Sequence, residues 1–130
     1  MAGTKVQLLA ADRARIWARR RAEQAYLLEL ARDYERGLGL AGVRAVVVFG
    51  SVARGDFNLG SDVDVLVVVD DLPERLRDRL ELLSSAVPRV QALGWTSDEL
   101  ATQLRRGDPI AVGIYETGVV IQGTLPGQRL

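Results

Sequence analysis

The chain holds neither cysteine nor histidine among its 130 residues. Without cysteine there is no disulfide and no thiolate metal site; without histidine, imidazole is removed as ligand, general base and nucleophile. Carboxylates are then the only strong metal ligands left. That inventory suits hard, oxygen-preferring cations such as Mg²⁺ or Mn²⁺ and suits Zn²⁺ poorly. An excess of charge of either sign is also missing, because 17 basic residues balance 17 acidic ones. No overall field draws the chain to nucleic acid or an anionic surface, and a long nucleic-acid acceptor is disfavoured. No apolar run approaches the roughly 20 residues of a bilayer span, and the start, MAGTKVQLLAADRAR, lacks the apolar centre of a secretory signal. A cytoplasmic protein without membrane association is expected.

What is present reads as one α/β domain over residues 1–130, with 48% hydrophobic content to fill a single core. Residues 1–40 supply a long N-terminal helix that packs on a sheet, residues 43–123 the core of the domain, and residues 124–130 a loose tail. The helix runs from Thr4 to Arg36, closed by Gly37, with Leu27, Leu30, Tyr34 and Leu38 at the spacing of one buried face. Between Arg13 and Arg21 stand five arginines and no acid. They read as a solvated helix face or as a contact for phosphate or a partner.

Strands are expected at Val43 to Phe49 and Val63 to Val69, both apolar enough to be covered on two faces. A helix starting around Asp70 to Pro73 carries the stripe Leu76, Leu80, Leu83. A third strand starts at Val90. Thr96 and Glu99 then form a capping box for a helix that ends at Arg106 to Gly107. A last helix from Pro109 to Glu116 and a strand from Val119 to Ile121 complete the order.

Between the first two strands lies Gly50 to Asp64, GSVARGDFNLGSDVD. Asp62 and Asp64 are two apart at a strand start, so both carboxylates leave the same face about 7 Å apart. At that separation they repel by roughly 2 kcal/mol at an effective dielectric of about 20, a cost that a divalent cation more than offsets. The pair reads either as a metal site or as two exposed strand-end aspartates. A glycine directly after a buried strand lets backbone N–H groups approach a phosphate, and the Ser51 hydroxyl adds a donor at the start of a short helical turn. Arg54 lies within reach of the same anion, and Gly55 lets the chain reverse.

Taken together, G-S-x-A-R-G followed by S-D-x-D and an apolar strand resembles the signature of the DNA polymerase β-like nucleotidyltransferase superfamily. Gly50, Ser51, Ala53, Arg54, Gly55, Ser61, Asp62 and Asp64 all match, and the element order resembles that of its small, stand-alone prokaryotic members. The resemblance spans most of Val43 to Leu93. It implies a nucleotidyltransferase fold, a small mixed β-sheet flanked by helices. It further implies Asp62 and Asp64 as catalytic Mg²⁺ ligands and Gly50 and Ser51, with Arg54 and Ser61, as nucleotide-binding residues. The implied reaction moves a nucleoside monophosphate from a nucleoside triphosphate, ATP favoured, to a hydroxyl.

The resemblance departs at one position. Family members with full activity carry a third acid on the strand after the intervening helix, and the matching residue in this chain is Gln91. An amide brings no negative charge and is no base near neutral pH. Asp98 and Glu99 lie nearby, but the capping box accounts for Glu99, and Asp98 suits the electropositive first turn of its helix. The resemblance therefore carries an alternative: a nucleotide-binding module weakened in turnover that acts beside a small helical partner of the HEPN type, as partner or antitoxin subunit. Self-association is compatible with the sequence.

Overall fold

The computed structural model describes residues 2–128, with side chains from Leu9 onward. Helix α1 spans Ala2–Leu38, a length that its Ala, Leu, Arg and Glu content and lack of proline allow. Gly37, expected to close it, lies inside the helix, and Gly39, with φ +64°, turns the chain away. Only the second half of α1 packs on the domain. Leu27, Ala31 and Tyr34 are buried there, whereas every residue from Leu9 to Arg19 is exposed.

Strands β1 (Val43–Phe49), β2 (Val63–Val69), β3 (Val90–Trp95) and β4 (Val119–Gly123) form one sheet in the order β3-β2-β1-β4. β1 is antiparallel to both β2 and β4, and β2 is parallel to β3. The mixed sheet and long first helix are those of the expected fold class. Alternation along the strands splits the core in two. Val46, Val48, Val63, Val65, Val67 and Val69 face α1. Ala45, Val47, Leu66 and Val68 face α4 (Ser97–Arg105) and α5 (Pro109–Thr117), with Leu100, Ala111 and Ile114 filling that layer. The buried Tyr34 hydroxyl donates to the Leu83 carbonyl at 2.8 Å, and burial pushes its pKa up to about 12. Among the described residues no helix is long and apolar enough to cross a membrane.

Two further expectations fail. Helix α3 spans only Leu76–Leu82, later than the proline suggested. Its stripe is not buried as a unit: Leu83, just past its end, enters the core, while Leu76 is 63% and Leu80 51% exposed. A helix of seven residues, about two turns, is too short to lay a full stripe on the sheet. The tail is not loose through Gln128 either. Leu125 is buried, the Thr124 N–H donates to the Arg44 carbonyl at 3.1 Å, and the Tyr115 hydroxyl donates to the Pro126 carbonyl. Burying one leucine stabilises the segment by about 2 kcal/mol. Arg129 and Leu130 lie outside the described residues.

The capping box forms as expected. Thr96 Oγ1 accepts from the Glu99 N–H at 3.1 Å and Glu99 Oε1 accepts from the Thr96 N–H at 2.9 Å. Glu99 also pairs with Arg79 at 2.8 Å. Burial pushes its carboxyl up, but the Thr96 amide and Arg79 more than offset this and hold it below the ordinary value.

Candidate functional site

Because β1 and β2 run antiparallel, the end of one meets the start of the other, and Phe49 pairs with Asp64. Gly50 follows at once and opens the five-residue α2 (Gly50–Arg54). Its φ of +76° is one that L side chains avoid, and a Cβ there would stand 2.6 Å from Asp64 Oδ2. Both facts require glycine. The two ends of the sequence motif thereby close on each other at one end of the two central strands.

Phe49, Gly50, Arg54 and Asp64 line an open cleft of about 450 Å³ with Pro109, Ile110 and Gly113. Asp64 is half-buried in it, and Asp62, immediately before β2, is exposed. Burial raises the Asp64 carboxyl above its ordinary value, the Asp62 charge raises it further, and Arg54 pulls it back. Among the described residues neither carboxylate forms a salt bridge. Arg54 is itself paired with Asp56, Nε to Oδ2 at 3.1 Å. The pair of carboxylates is therefore short of positive charge.

The remaining expected residues divide. Ser51 is half-buried in α2, and its carbonyl accepts the Gly55 and Asp56 N–H groups, closing the turn. Ser61 is engaged in the preceding loop. Its hydroxyl accepts from the Asn58 N–H at 2.9 Å and lies 3.3 Å from Asn58 Oδ1. Neither serine lines the cleft. Gln91 sits in β3 in direct register with Asp64. Paired residues of parallel strands share a face, so the amide stands beside the carboxylate on the neighbouring strand. No third acid joins them: among the described residues no group of three acidic side chains is placed to hold a metal ion.

Two contributors were not legible. Helix α5 walls the cleft through Pro109, Ile110 and Gly113, and nothing local in the sequence ties it to the motif. Arg20, Gln24 and Arg89 hold the motif's backbone, with Arg20 donating to the Gly55 and Phe57 carbonyls at 2.9 and 2.8 Å. A signal existed for Arg20. It falls on the same helical face as Gln24, Leu27, Ala31 and Tyr34, so one arginine of the basic cluster had to point at the domain.

A four-stranded mixed sheet with a glycine-initiated turn and two carboxylates at the start of the second strand defines a nucleotidyltransferase fold. The chain belongs to the nucleotidyltransferase domain family, whose model matches residues 28–110. It is similar to a provisionally named protein adenylyltransferase of Methanocaldococcus jannaschii, 44% identical over 41 residues. That match covers 32% of this chain and only 40% of the relative. In structure it resembles a provisionally named nucleotidyltransferase of Sulfolobus solfataricus, with a TM-score of 0.61 and 23% identity over 85% of this chain and 93% of the other. A fainter likeness, TM-score 0.48 and 23% identity over 78% and 73% of the two chains, is to a toxin–antitoxin crystal structure with AMP-PNP.

Proposed function

We propose that the chain is a divalent-metal-dependent nucleotidyltransferase that moves a nucleoside monophosphate, AMP in the first instance, from a nucleoside triphosphate to a hydroxyl. The observation that carries this is the closure of the motif on itself. Asp64 lies directly against Gly50 in the cleft, with the Asp62 charge nearby; neither carboxylate forms a salt bridge among the described residues, and Arg54, which offsets part of their charge, is itself paired with Asp56. Asp62 and Asp64 fit a divalent cation and would hold Mg²⁺ or Mn²⁺; bound there, it would supply positive charge to the phosphate oxygens. The N–H groups following Gly50, the Ser51 hydroxyl and Arg54 take the phosphates. Ser61 acts less directly, shaping the loop that delivers Asp62. In the reaction the acceptor oxygen bonds to the α-phosphorus, the bridge to the β-phosphate breaks, pyrophosphate leaves, and the hydroxyl proton passes to solvent.

The test is incubation with labelled ATP, GTP, CTP or UTP and Mg²⁺, with and without the product of the neighbouring gene. Label should appear on an acceptor with ATP and vanish with Asp62→Ala. Absence of both transfer and any metal-dependent rise of melting temperature with nucleotide would refute the proposal.

A second reading is favoured by Gln91. Where the register places a side chain beside Asp64, this chain offers an amide rather than a third carboxylate. On that reading the cleft binds nucleotide without turnover and the protein serves as the non-catalytic partner of a small helical protein. Nucleotide binding without transfer, converted to transfer by Gln91→Asp, would select it.

A further inference from the structure

The connection from α2 to β2, residues 55–62, has almost no strand or helix pairing of its own, yet it delivers Asp62 and Asp64 to the cleft. Alternate backbone oxygens along it are taken by two arginines, one for each half. Arg20 Nη2 donates to the carbonyls of Gly55 and Phe57 at 2.9 and 2.8 Å. Arg89 Nη2 donates to those of Leu59 and Ser61 at 3.3 and 2.6 Å, with its Nε also on Ser61 at 3.2 Å. Every second carbonyl from 55 to 61 is thus held by a guanidinium, whose fixed fork of donors suits paired acceptors. The Arg20 guanidinium also lies 4.8 Å over the ring of the buried Phe57.

Both arginines trace back to a single turn of α1. Gln24, one turn after Arg20, donates to the Val52 carbonyl of α2 at 2.7 Å. Glu23 approaches Arg89 at 3.6 Å. Arg89 adopts φ +68°, a costly conformation for a residue with a side chain, and its own carbonyl accepts the Val63 N–H at 2.7 Å, one residue before Asp64.

We propose that Arg20 and Arg89 are positioning residues for the metal and nucleotide site, acting as a two-sided clamp through which α1 sets the path of the chain between Gly50 and Asp64. Neither arginine lines the cleft. Their effect passes through the backbone they hold, and this part of the inference rests on the nucleotidyltransferase reading of the cleft.

The test uses the full chain with Arg20→Ala, Arg20→Lys and Arg89→Ala, and with the exposed Arg13→Ala as control. Amide hydrogen exchange is followed at Asp56, Asn58, Gly60 and Ser61, whose N–H groups are bonded within the turn, and at Val46 and Val48 in β1. Dissociation constants for ATP with Mg²⁺ are measured alongside. Loss of two charge-assisted hydrogen bonds should speed exchange in the turn by about tenfold or more, leave β1 unchanged, and weaken ATP binding by about tenfold. Arg20→Lys should recover part of both effects, and Arg13→Ala should show neither.

Unchanged exchange in the turn of Arg20→Ala and Arg89→Ala would overturn the clamp. So would equal acceleration in the turn and in β1, which would mark a general loss of stability. A loosened turn with undiminished ATP binding would overturn the positioning role. If the wild-type chain binds no ATP in Mg²⁺, it is the nucleotide reading that falls, and with it the positioning role, while exchange still decides the clamp.

Discussion

Strand β2 ends in carboxylates at both its edges, and the two are treated in opposite ways. At its far end Asp70 is fully provided for. Its Oδ2 pairs with Arg44 and its Oδ1 accepts the Ser97 N–H at 2.8 Å. The Ser97 amide, followed by Arg44, holds its carboxyl below the ordinary range. At the near end Asp64 is half-buried beside Asp62, and its carboxyl is pushed up. A cleft of about 740 Å³ lies at the Asp70 end and one of about 450 Å³ at Asp64. On the proposed reading, the partnered Asp70 is structural and Asp64, which has no salt-bridge partner, is placed to meet a ligand.

The contrast is broken most sharply by Asp64→Asn. Binding of ATP in Mg²⁺ should fall to background by calorimetry, while the melting temperature at neutral pH rises, because a desolvated charge beside a like charge is removed. The sign follows from the raised pKa. Folded Asp64 holds its proton more tightly than the unfolded chain, so stability is lost as pH rises from the ordinary value of 3.8 through the raised one. The gain in Asp64→Asn should therefore grow over that window and disappear below it. Gly50→Ala comes next. The φ of +76° and the clash with Asp64 Oδ2 should cost about 1–2 kcal/mol in urea unfolding and weaken ATP binding by displacing the carboxylate.

At the provided end the effects are on stability alone. Glu99→Ala removes one side of the capping box and the partner of Arg79, and should cost about 1 kcal/mol with ATP binding unchanged. Asp70→Asn should lower the melting temperature by less, again without touching ATP binding. Its lowered pKa gives the reverse pH dependence: the stabilisation is present above the ordinary value and is lost as pH falls through the lowered one. Melting temperatures of wild type and Asp70→Asn should thus converge on acidification, where those of Asp64→Asn and wild type also meet.

Features written in neighbouring residues were legible in the sequence. β1 and β2 form at the expected bounds, the Thr96–Glu99 box closes, and Gly50 and Asp64 come together because two antiparallel strands joined by one loop can meet nowhere else. What sequence reading missed depends on distant pairings. Arg20 lies 35 residues from Gly55; the helical period turns it toward the domain but does not name the carbonyls it meets. Leu125 reads as part of a loose tail, yet it completes the layer with Leu66 and Leu100. The leucine stripe of α3 failed for the opposite reason: the period was real, but the sheet had no room for it, with Leu83 already filling the space over Gly94.

The division of α1 into a packed half and an exposed half has a consequence for how the protein meets proteases. From Leu9 to Arg19 the helix is exposed at every position, so it is held largely by its own propensity and opens far more readily than the sheet. Four arginines, Arg13, Arg15, Arg19 and Arg21, stand exposed along this stretch and its border with the packed half. Brief trypsin digestion should nick it first and leave the sheet intact. Cuts after Arg13 or Arg15 would preserve the grip of Arg20 on the motif. A cut after Arg21 would remove Arg20 from a domain that keeps Gln24, Glu23 and the packed half of α1, isolating the contribution of that one side chain to the site.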